Sequence, residues 1–242
     1  MNRLRDLFKS TYPDLDRHPL GLAVMSMAML TIYVEMGKRR SMPDAWVAWI
    51  DSLLGFGDPQ LARYLWKNTM CALLLMVVPL ILMRAFAGWS PRDLGFRIRG
   101  TWAEFKLVTV LWLLFLPVLW VVSDFPSFDK TYPQVRGIKT DGLMFAAHHA
   151  YYILYWMGWE FYFRGLLLFG FERDYQSKAV LLSTFPFVVM HYGKPPIEMM
   201  AAIAAGFILC GIALRSRSIL PGVFLHWLVQ MSIDFANCTW WR

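Results

Sequence analysis

The chain has 242 residues, 57% apolar and only 17% charged, with a net charge of +7. A soluble domain carries about a quarter charged residues, so the composition excludes an ordinary soluble enzyme and points to a polytopic membrane protein. Lys and Arg sit between apolar runs and not along one face, which argues against nucleic acid as a partner and reads as membrane orientation.

In chain order, residues 1–18 form a basic segment, expected on the cytoplasmic side and too polar for an obvious cleaved leader. A spanning helix needs about 20 mostly apolar residues. Seven candidates follow, at roughly 20–36, 66–85, 105–123, 143–168, 179–193, 197–214 and 219–236. Between the first two, Ala45–Phe56 reads AWVAWIDSLLGF, an amphipathic, Trp-rich stretch that suits an interfacial helix, with an eighth span as the alternative. The expected fold is all-α, a polytopic transmembrane bundle of seven to eight helices, with N-terminal helices over 19–142 and a second unit over 143–242. With a cytoplasmic N-terminus and alternating spans, basic residues favour the cytoplasmic side modestly, and Lys38-Arg39-Arg40 falls on the other. Cys71, Cys210 and Cys238 lack metal-ligand spacing and read as packing residues.

Charged groups inside a span cost about 2.5–3.5 kcal/mol each, so they pair, line a wet cavity or work. The fourth span carries GWEFYFRG, with Glu160 and Arg164 four residues apart on one helix face. A structural ion pair locking two helices is the plain alternative there. The fifth span carries His191 four residues after Phe187, where a lone histidine is more often a hydrogen-bonded core residue. The last span places His226, Gln230 and Asp234 along one stripe. Counted from the hairpin at 171–178, Glu160 and His191 lie about 16 and 20 Å from one membrane face, and His226, counted from Arg217, about 14 Å from it if both basic loops share a side. Two imidazoles and a carboxylate at one depth can bind a metal or activate water.

These residues resemble the CAAX-protease and bacteriocin-processing family of intramembrane proteases, also called the Abi family, and a bacterial branch of it. The family pattern is Glu-Glu-x-x-x-Arg, Phe-x-x-x-His and His-x-x-x-Asn/Asp. Glu160 to Arg164 matches the second Glu and the Arg, Phe187 to His191 the second motif, and His226 the third, with Gln230 in place of Asn or Asp. The usual first Glu falls on Trp159, which cannot accept a proton; Glu160, Glu198 or Asp234 then takes that role, or the chain does not cleave. The resemblance implies a glutamate-dependent, metal-independent endopeptidase without a cofactor, its catalytic-type core spanning 143–242. Glu160 would activate water beside His191, His226 and Gln230 would hold the oxyanion, and Arg164 would orient Glu160, with Glu198 and Asp234 in possible support. It also implies a multi-pass protein of the bacterial inner membrane, within the lipid bilayer, acting on membrane-anchored proteins or peptides: prenylated C-termini, bacteriocin leaders or C-terminal sorting segments. The alternatives are an inactive scaffold or immunity protein, a zinc-dependent form using Glu160, His191 and His226, and a small proton-relay transporter.

Overall fold

The computed structural model describes residues 17–241. The basic segment 1–18 therefore lies almost wholly outside the described residues. The fold is helical throughout and contains no strand among the described residues, as expected of an all-α bundle. The helices are α1 (Arg17–Met36), α2 (Asp44–Leu54), α3 (Pro59–Ala87), α4 (Trp102–Ser123), α5 (Pro126–Thr131), α6 (142–175), α7 (Ala179–Val189), α8 (Pro196–Ser216) and α9 (Leu220–Ala236).

Four of these are long and apolar enough to cross a membrane: α1 from His18, α3, α4 and α8. They form the outside. On α4 the side chains Leu114, Phe115, Val118 and Val121 are exposed, which is stable only where the surroundings are as apolar as they are. α6 is the inner helix. Its middle, from Tyr152 to Phe171, is almost entirely buried, and it carries the charges Glu160 and Arg164 that keep it off a simple hydropathy scale. An apolar shell around a polar inner helix is the arrangement that the cost of membrane-buried charge demands.

The helix starts are set by local chemistry. Asp58 accepts hydrogen bonds from the Gln60 and Leu61 N–H groups at the head of α3, and Pro59 sits where no N–H is needed. Asp141 caps α6 in the same way, accepting from Leu143 and Met144. Both α3 and α6 contain π-helical turns, over Leu73–Val77 and Phe161–Leu168. α3 and α6 approach closely at Gly158, where an added Cβ would stand 2.6 Å from the Cys71 carbonyl oxygen. Small residues at such crossings let backbones touch, the main source of packing energy once lipid has removed the hydrophobic drive.

The structure agrees with the expected interfacial segment and corrects two boundaries. The amphipathic segment near 45–56 is helix α2, 11 residues long, about 16 Å and too short to cross. It exposes Trp46, Trp49 and Leu53 and buries Val47, the two-faced pattern of an interfacial helix. The fourth span is longer than expected, running on as α6 to Tyr175. The fifth is shorter: α7 ends at Val189, and Gly193, at φ +85°, turns the chain toward Pro195-Pro196. His191 thus sits in the turn beyond α7 and not on a spanning helix.

Candidate active site

α6, α7 and α9 converge on Glu160, which is fully buried. Its Oε1 receives a hydrogen bond from Arg164 Nη1 at 3.0 Å and lies 2.8 Å from His226 Nδ1. Oε2 faces Gly222 on α9, where an added Cβ would stand 2.5 Å from it; only a glycine leaves room for the carboxylate. Arg164 is also fully buried and lies over the Phe187 ring at 4.2 Å, a cation–π contact across α6 and α7. The equal depth expected for Glu160 and His226 is thus realised as direct contact.

The π-helical segment begins at Phe161, one residue after Glu160. A π turn widens the helix and redirects the side chains on it, and such turns gather at functional sites. It also frees carbonyl groups, and the Phe163 carbonyl accepts a hydrogen bond from the Ser183 hydroxyl of α7 at 2.8 Å. Trp159 points elsewhere, stacking on Tyr155 with its edge toward Phe163 and His191.

The imidazoles are held by different partners. His226 stacks on Trp156 with centroids 4.8 Å apart and planes 4° from parallel. His191 Nδ1 lies 2.7 Å from the Phe187 carbonyl oxygen. A carbonyl only accepts, so this nitrogen carries the proton and Nε2 is left as a base. Glu160 makes no ion-pair contact with His191; the structure pairs it with His226 instead, a correction to the expected Glu160–His191 pair. Gln230, one turn beyond His226, is buried, and its Nε2 has no protein partner.

His191, His226 and Gln230 line one cavity of about 290 Å³ between α4, α8 and α9. The rest of its wall is mostly apolar, including Leu111, Phe115, Leu119, Ile208 and Val229. Glu160 stands behind His226 and is not part of the lining. Glu198 lines the other end, where both its oxygens accept from the Tyr132 hydroxyl at 2.8 and 2.7 Å and Lys194 lies 3.6 Å away. Asp234 faces away from the cavity toward His149, Oδ2 to Nε2 at 3.4 Å. Neither Glu198 nor Asp234 joins Glu160. His148 and His149, both buried beside Asp234, and Trp156 and Gly222 are the parts of the interior that sequence reasoning missed. The available signal was that four of the five histidines fall within or beside apolar runs.

A second, open cleft of about 1240 Å³ is lined by Met190 and Lys194, which flank His191 of the first cavity in the chain. Lys38, Arg39, Arg40, Arg63, Lys67, Lys130 and Lys194 line it, against a single carboxylate, Asp44. Arg63 holds Asp44 in an ion pair, while Lys67 rests over the Tyr155 ring at 4.8 Å. The basic triplet at 38–40 therefore belongs to a cleft gathered from α1, α2, α3, α5 and the turn between α7 and α8.

The site is a buried carboxylate–arginine–imidazole cluster beside an apolar cavity, in an all-helical membrane fold. Residues 152–232 match the family model described as Rce1-like, type II CAAX prenyl endopeptidase. That stretch, about a third of the chain, holds Glu160, Arg164, Phe187, His191, His226 and Gln230, and over it the chain is similar to the CAAX-type intramembrane proteases. No curated protein and no solved structure matches the chain.

Proposed function

We propose that the chain is an intramembrane endopeptidase that hydrolyses a peptide bond of a membrane-anchored substrate, with His226 as general base and no metal at the reacting centre. The observation that carries this reading is the 2.8 Å ion-pair contact between His226 Nδ1 and Glu160 Oε1, which sets a carboxylate against one ring nitrogen without meeting hydrogen-bond geometry. A carboxylate on one ring nitrogen fixes the tautomer, leaves Nε2 as the base and stabilises the imidazolium that forms. Water attacks the scissile carbonyl carbon and gives its proton to His226 Nε2. The C–N bond then breaks and the same proton passes to the leaving nitrogen. His191 Nε2 accepts a hydrogen bond from that water, and the Gln230 amide donates to the oxyanion.

Glu160 is a positioning residue in this scheme: it acts through His226, and Arg164 holds it. Trp159 in place of the family's first Glu is compatible with cleavage because the base is an imidazole. The apolar cavity takes an unwound, lipid-facing stretch of substrate, since a helical amide is already hydrogen-bonded and must be freed before attack. The basic cleft takes the polar end of the same chain, a carboxylate terminus or an acidic tail. Localisation in a bacterial plasma membrane belongs to this proposal.

The test is cleavage of co-expressed membrane-anchored substrates by site variants. His226→Ala is expected to lower kcat by about 10²–10⁴-fold, the usual range for a general base, with KM little changed. Glu160→Gln is expected to lower kcat and Glu160→Asp to restore part of it, a rescue that a merely structural carboxylate would not show. Wild-type kcat in His226→Ala would sink the scheme. A substrate that co-purifies uncut with every variant and with the wild type would favour the scaffold reading.

A further inference from the structure

The interior holds a second cluster that hydrolysis does not use. His148 and His149 lie on α6, and Asp234 lies near the end of α9. All three are at least 98% buried, with exposures of 0%, 2% and 1%. One ligand atom from each lies within 4.8 Å of the others. Both ring nitrogens of His148, both of His149, and Oδ1 of Asp234 have no hydrogen-bond partner in the protein. Unpartnered polar atoms at this burial are costly and ask for an explanation.

A direct His–Asp pair does not supply one. His149 Nε2 to Asp234 Oδ2 is 3.4 Å, longer than the roughly 2.7–2.9 Å of a charge-assisted hydrogen bond. It matches instead the separation of about 3.3 Å between two ligands of a tetrahedral ion with bonds near 2.0–2.1 Å. Charge points the same way. Asp234 stands in the last turn of α9, where the negative end of the helix dipole disfavours a carboxylate and favours a cation. No Lys or Arg pairs with it among the described residues.

We propose that His148, His149 and Asp234 bind one divalent cation of the zinc class. Two imidazole nitrogens and one carboxylate oxygen provide three donor atoms, and a water would complete the four that a tetrahedral zinc site uses. The ion would clasp α6 to α9, alongside the hydrogen bond that Trp227 Nε1 donates to the His149 carbonyl at 2.9 Å. Asp234 is eight residues from His226 on α9, about 12 Å along the helix. The cation is therefore structural and separate from the hydrolytic centre, and it fixes the two helices that carry Glu160 and His226.

The test is metal content and spectroscopy on the detergent-solubilised full chain, stripped with chelator and then reloaded with Zn²⁺ or Co²⁺ alone. We expect about one ion per chain, a visible d–d spectrum of tetrahedral Co²⁺, and a higher unfolding temperature with Zn²⁺ than without. His149→Ala and Asp234→Asn should each weaken binding at least about tenfold. Glu160→Gln should bind the ion as the wild type does, which separates this site from the hydrolytic one. Stripped wild type that takes up no ion, or His149→Ala that loads as fully as wild type, would overturn the proposal. Should His149→Ala fail to fold, the Co²⁺ spectrum of the wild type still decides, because an octahedral or absent band contradicts the assigned ligands.

Discussion

Arg164 illustrates how much a single buried charge controls. Its guanidinium has no exposure and one carboxylate partner, Glu160. Breaking a buried pair from one side leaves the other charge uncompensated and costs about 3–5 kcal/mol, whereas removing both partners is often near neutral. Arg164→Leu should therefore lower the unfolding midpoint in detergent sharply, and the double variant Glu160→Gln, Arg164→Leu should recover most of that loss while remaining inactive. Equal destabilisation by the single and double variants would show that the pair does not balance. At this scale the sequence was informative. The i, i+4 spacing of Glu160 and Arg164 placed them on one face, and their setting in an apolar run marked them as paired or working. It did not show which histidine Glu160 meets, because that depends on the rotation of α9 and on the absence of a Cβ at Gly222. Asp234 shares a helical stripe with His226, yet eight residues of helix carry it to a different cluster.

At the scale of helices, the π-helical segment after Glu160 and the early end of α7 shape the site. A hydropathy scan sees apolar length and not hydrogen-bond register, so the widened turn at Phe161–Leu168 was invisible in the sequence. The end of α7 was better signalled. Gly193 and Pro195 mark a break, but the mostly apolar run over 179–190 hid it. The break is what lets His191 turn into the cavity with its Nδ1 tied to the Phe187 carbonyl. The α3–α6 contact rests on Gly158, whose place against the Cys71 carbonyl leaves no room for a methyl group. Gly158→Ala should force the helices apart and cost about 1–3 kcal/mol, the usual range for overpacking. Gly211→Ala, where an added Cβ meets nothing within 4 Å, is the matched control and should be neutral or slightly stabilising. Thermal unfolding of both variants in one detergent checks the difference.

Over the whole molecule, composition alone was enough to assign an all-helical membrane bundle, because only a bilayer stabilises so apolar a surface. All seven candidate spans recur as helices, and the amphipathic stretch recurs as α2. The cavity and the basic cleft were not legible. Both are assembled from residues far apart in the chain, such as Arg39, Lys130 and Lys194, and no local pattern encodes their meeting. The apolar cavity includes His191 and the cationic cleft includes Lys194, three residues further along the chain. The central claim is that an imidazole supported by a buried carboxylate hydrolyses a peptide bond beside the apolar cavity. It is tested most directly with the purified chain in lipid nanodiscs and a panel of membrane-anchored peptides, prenylated, leader-type and sorting-type, in ¹⁸O-labelled water. We expect the wild type to release a product whose new C-terminal carboxylate carries the label, and His226→Ala to release it at least about 100-fold more slowly. Release at the wild-type rate by His226→Ala, or an unlabelled new terminus, would contradict it.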